Sequence, residues 1–152
     1  MKIEILQYYL AHGFKLFPCG NKDKKPLTAH GFKDSSIDPS QIEKWFNQHP
    51  DCAWGTPTSS EYAVTDIDIK HNGDVTWGKL ISQHGPLPPC PSVQTGSGGW
   101  HYVMRFPIGT GTSQNRVGQG IDIKAEGGYV IIPPSRIHDP EGRHVQAYRW
   151  EI

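Results

Sequence analysis

Apolar residues Ile3, Leu6, Tyr9 and Leu10 recur at helical spacing and stop at Gly13, which predicts a first amphipathic helix. Phe14 to Phe17 reads as a short strand. Pro18 to Phe32 has no period and forms a loop made basic by Lys22, Lys24 and Lys25, either a solvated run or an anion-contacting one. Asp38-Pro39-Ser40-Gln41 carries a helix start: an N-cap acid, proline at the first helical position and Gln at capping-box reach. That helix runs to about Asn47 and buries Ile42, Trp45 and Phe46. Ala53 to Thr56 and Tyr62 to Ile69 follow as strands. Asp74 to His84 is a further helix, introduced by Asn72-Gly73 and ended by Gly85-Pro86, and Pro86 to Pro91 leads on as an extended connector.

The period changes in the second half. Val93 to Thr95 and Trp100 to Phe106 flank Gly96-Ser97-Gly98-Gly99, a hairpin signal, and Ile121 to Lys124 and Tyr129 to Ile132 flank Glu126-Gly127-Gly128, a second one. Gly109 to Gly120 reads as the long flexible loop. Helices early and hairpins late predict an α+β fold, a mostly antiparallel central sheet flanked by helices. A length of 152 residues suits a single domain over residues 1–152.

Charge and cysteine content narrow the classes. Fifteen basic and fifteen acidic residues balance, so no global field gathers nucleic acid or an anionic membrane, and a polyanion must be gripped by a local patch or through metal. Cys19, Cys52 and Cys90 form no C-x-x-C pair, which argues for reduced thiols over a disulfide framework or structural zinc. No apolar run reaches membrane-spanning length. The expectation is a soluble cytoplasmic protein with no membrane partner.

The chemistry concentrates on strands. Asp66 and Asp68 stand two apart in Val64-Thr65-Asp66-Ile67-Asp68-Ile69, where residues i and i+2 share a face. Two carboxylates that close repel unless a cation lies between them. Asp122 sits between Ile121 and Ile123, and His101 between Trp100 and Tyr102. Three aspartates suit magnesium or manganese, which take oxygen ligands and leave positions for water or phosphate. Each residue alone has a plainer reading: an edge-strand acid facing solvent, or a histidine satisfied in the core. Gly96, Gly98 and Gly99 are explained by a tight turn, although with Ser97 they could also bring backbone N–H groups to a phosphate.

Taken in order, the motifs Lys25-Pro26-Leu27, His30-Gly31-Phe32-Lys33-Asp34, Asp66-Ile67-Asp68, Thr95-Gly96-Ser97-Gly98-Gly99-Trp100-His101-Tyr102, Gly120-Ile121-Asp122-Ile123-Lys124 and Gly127-Gly128-Tyr129-Val130-Ile131-Ile132-Pro133-Pro134-Ser135 resemble the N-terminal domain of bifunctional DNA primase-polymerases. This prim-pol family belongs to the archaeo-eukaryotic primase superfamily, found in phages, plasmids and other mobile elements. The resemblance implies an RRM-like catalytic core and a nucleotidyltransferase that acts as DNA primase and polymerase in replication. Asp66, Asp68 and Asp122 match the catalytic, metal-binding acids, and His101 the histidine that contacts the incoming nucleotide. Lys124 falls at a common basic position. Gly99 stands where the superfamily often has serine, so Ser97 or backbone amides take that role. Ser135 is a further candidate for nucleotide contact, and Lys24, Lys25 and Arg136 for DNA contact.

The implied partners are nucleoside triphosphates, a single-stranded or primed DNA template and a helicase domain or protein. The implied reaction uses two Mg2+ or Mn2+ ions, one on the triphosphate and one on the attacking 3′-hydroxyl. A metal-dependent nuclease would need the same acids, and a non-catalytic nucleotide- or DNA-binding replication module would need no metal.

Overall fold

The computed structural model describes residues 1–139 and 145–151. In chain order its elements are α1 (Ile3–Ala11), β1 (Phe17–Cys19), α2 (Pro39–Gln48), β2 (Ala53–Pro57), β3 (Ala63–Ile67), α3 (Gly73–His84), β4 (Ser92–Gln94), β5 (Trp100–Met104), β6 (Ser113–Gly118), β7 (Ile121–Lys124), β8 (Tyr129–Ile131), β9 (Arg136–His138), β10 (Val145–Ala147) and β11 (Arg149–Glu151). The fold is α+β, and every pairing between these strands is antiparallel. Among the described residues no helix is long and apolar enough to cross a membrane. The chain forms two compact units, Met1–Pro57 with Tyr129–Tyr148, and Thr58–Gly128 with Arg149–Ile152.

In the first unit the apolar face of α1 is buried as its period requires. Leu6, Tyr9 and Leu10 pack with Leu16, Ile42 of α2, Trp54 of β2 and Ile132. Asp38 caps α2 by accepting the Ser40 N–H at 3.0 Å, with Pro39 at the first helical position. Strands β1, β2 and β8 form a three-stranded sheet, and β9 pairs with β10. Ser135 is buried here, where its hydroxyl accepts the Trp54 N–H at 2.9 Å.

The second unit is built on a six-stranded sheet of order β11-β4-β5-β3-β7-β6. At its centre is β3, the most buried of these strands: Ala63, Val64 and Ile67 are almost fully buried. Helix α3 covers one face, where Trp77 stacks on Tyr102 with ring centroids 5.3 Å apart and planes inclined by 21°. The hairpin expected around Gly96 to Gly99 joins β4 to β5, closed by Thr95 N–H to Gly99 O and Gly98 N–H to Thr95 O, both 2.9 Å.

Three expectations are corrected. Residues 121–132 do not form a hairpin: β7 pairs with β3 and β6, whereas β8 pairs with β2. Val130, Ile131 and Ile132 are a continuous buried run rather than an alternating one, and Ile132 is claimed by the core around Leu6 and Trp54. The span from Gly109 to Gly120 is not all loop, because β6 lies within it as an edge strand. Its middle residues are exposed, so no alternation marks it in the sequence. The strand read as Tyr62 to Ile69 ends its ladder at Ile67, and Ile69–His71 is a 3-10 turn.

Candidate active site

Strand register sets the site. Asp66 of β3 is paired with His101 of β5 on one side and with Asp122 of β7 on the other. Directly opposed residues share a sheet face, with Cα atoms roughly 4.5–5.5 Å apart, so one row carries a histidine and two carboxylates. Lys124, two residues beyond Asp122, projects from the same face. The row lies on the face opposite Tyr102 and α3, because His101 and Tyr102 are successive residues of one strand. His101 is only 6% exposed, and its Nε2 lies 3.5 Å from Asp66 Oδ1.

Asp68 stands one step past the ladder. It keeps extended dihedrals (φ −96°, ψ 105°) and caps the 3-10 turn by accepting the Lys70 N–H at 2.9 Å. Its peptide is clamped by Gly120 O, which accepts the Asp68 N–H at 2.8 Å, and by the Gly73 N–H, which donates to Asp68 O at 2.9 Å. Gly73 and Gly120 approach so closely that a Cβ on either would strike the other's backbone. The two glycines therefore tie the Asp68 turn to the start of β7, two residues before Asp122.

Each carboxylate already has partners within the unit. Asp122 Oδ2 takes the Lys124 ammonium at 2.9 Å and Oδ1 accepts the Asn115 N–H at 3.1 Å. Asp68 Oδ2 lies 2.7 Å from His71 Nδ1. With the side chains so turned, no group of three or more His, Cys, Asp or Glu among the described residues is arranged around a common metal position. The donors nevertheless suit a hard divalent cation: carboxylate oxygens on directly paired strands, with a third acid held beside them.

Gly99 explains its own departure from serine. A Cβ there would collide with Ile67 O, so the closest hydroxyl chemistry lies in the turn, where Ser97 Oγ and Thr95 Oγ1 are 3.1 Å apart. Asp66, Asp68, Ser97, His101, Asp122 and Lys124 all belong to the second unit, whereas Lys24, Lys25, Ser135 and Arg136 belong to the first. Lys24 adopts φ 61° and sets its ammonium 5.9 Å from the Tyr148 ring centroid. Lys25 and Arg136 are exposed.

Two contacts escaped the sequence reading. Asn115 reaches Asp122 only because the β6–β7 register shifts between Ser113 and Gly118, and its side chain also accepts the Gly120 N–H at 2.7 Å. His71 meets Asp68 through a 3-10 turn. Neither a bulge nor a short turn leaves a periodic trace, although the positive φ of Asn115 (52°) suits an asparagine.

No curated protein matches the chain. The family model of the bifunctional DNA primase/polymerase N-terminal domain, Prim-Pol, matches residues 6–151, and the chain belongs to that family.

Proposed function

We propose that this domain performs template-directed nucleotidyl transfer from nucleoside triphosphates to a primer 3′-hydroxyl, dependent on magnesium or manganese held by Asp66, Asp68 and Asp122. The observation that carries the reading is the row His101–Asp66–Asp122 on three adjacent strands in a chain of the primase/polymerase family. Bound divalent metal would neutralise triphosphate charge and acidify the attacking hydroxyl.

The chain's own residues do the positioning. The aspartates act as ligands rather than general bases, and β3 and β7 fix the spacing of two of them. His101, held by burial beside Asp66, orients a phosphate oxygen through its imidazole. Lys124 offsets phosphate charge from the same face. Ser97 offers a hydroxyl from the β4–β5 turn. Ser135 is buried with its hydroxyl on the Trp54 N–H, so the nucleotide contact expected of it gives way to bracing of β2, and Lys24, Lys25 and Arg136 supply cations for the template backbone.

A gel assay on single-stranded template, with and without primer and with each nucleotide type, tests this. Primer extension that needs magnesium or manganese is expected. Nicking of plasmid without added nucleotides would instead favour a nuclease, and metal-independent binding without incorporation a non-catalytic module.

A further inference from the structure

Each of two proposed metal-ligating carboxylates is held by a basic side chain from just downstream. Lys124 Nζ lies 2.9 Å from Asp122 Oδ2, with the two side chains 20% and 24% exposed, and His71 Nδ1 lies 2.7 Å from Asp68 Oδ2. Both pairs are local, i,i+2 and i,i+3, so neither depends on a distant part of the chain. Asp122 has its other oxygen on the Asn115 N–H, which fixes the carboxylate while leaving the Lys124 contact as the one a mobile cation can replace.

We infer that Lys124 is a placeholder cation: its ammonium occupies Asp122 until a divalent metal displaces it, and the released ammonium then turns to the triphosphate. The inference rests on Asp122 being a metal ligand, as proposed above. A half-buried carboxylate facing other acids needs a nearby positive charge, and Lys124 supplies one when no metal is bound. Metal alone must compete with that charge and binds weakly. When a triphosphate is present, the displaced ammonium gains a new anionic partner. Metal and nucleotide therefore bind with positive coupling, by a residue that changes partner.

Isothermal titration with Mn2+ tests this on the whole chain, first without nucleotide and then with a non-hydrolysable nucleoside triphosphate. Lys124→Met should bind Mn2+ alone about threefold to tenfold more tightly than wild type, the worth of a partly buried ion pair. Lys124→Arg keeps the charge and should bind no more tightly than wild type. Lys79→Met, on α3, removes an equal charge from elsewhere in the unit and should change little. With nucleotide present, the wild type should gain more Mn2+ affinity than Lys124→Met does. Unchanged or weaker binding by Lys124→Met, or equal tightening by Lys79→Met, would overturn the placeholder role and leave the metal assignment standing. Equal Mn2+ affinity in wild type and Asp122→Asn would overturn the metal assignment itself and this inference with it.

Discussion

At position 99 any side chain would collide with the Ile67 carbonyl, which joins β5 to the end of β3 beside the acid row. Gly99→Ser should therefore destabilise the protein by about 1–3 kcal/mol, the usual range for overpacking, and not restore a missing hydroxyl; a thermal melt reads the loss. Asp66→Ala should leave the melt near wild type while abolishing incorporation, because Asp66 is one-quarter exposed and stands in the row proposed to hold the metal. Asp66, His101 and Asp122 were each visible in the sequence as polar residues set among apolar strand neighbours. That the three form one row was not, because register is fixed by pairings across more than thirty residues of chain. The Lys124–Asp122 pair was half visible, since i,i+2 spacing gives a shared face but not an ion pair.

At the scale of elements, capping and burial give separate tests. Asp38→Ala removes the cap of α2 and should cost about 1 kcal/mol in a denaturant titration. Strand β1 carries a buried thiol, Cys19, and the entry to β2 a half-buried one, Cys52. Burial raises Cys19 well above its ordinary value, reinforced by Cys52, and burial pushes Cys52 up to about 11 from 9.0. A raised folded value means the native state holds the proton more tightly than the unfolded chain does. Stability is then full below the unfolded value of 9.0 and falls as pH rises through about 11. Cys52→Ala should narrow the stability gap between about pH 7 and pH 10.5 measured in urea. Helices were the most legible elements, since α2 announced itself by Asp38-Pro39 and α3 by Gly85 beyond its end. Strand β6 was illegible because an exposed edge strand needs no alternation, and β8 was misassigned because its partner β2 lies far back in the chain.

For the whole molecule, the balance of fifteen acids and fifteen bases predicts template binding that is modest and falls steeply between low and physiological salt. Fluorescence anisotropy of a labelled single strand across a salt series measures it. The α+β class could be read from helices preceding hairpins, yet the division of strands into sheets could not, because the apolar run from Val130 to Ile132 looks alike in either sheet. The family was carried by motif order, and the structure adds the physical reason that order matters: motifs distant in the chain become neighbours on β5, β3 and β7. The most direct measurement of the central claim is single-nucleotide incorporation into a primed template by wild type, Asp66→Ala and Asp122→Ala, with manganese and with circular dichroism confirming each fold. The account predicts incorporation by wild type alone, and extension by a folded Asp66→Ala variant would contradict it.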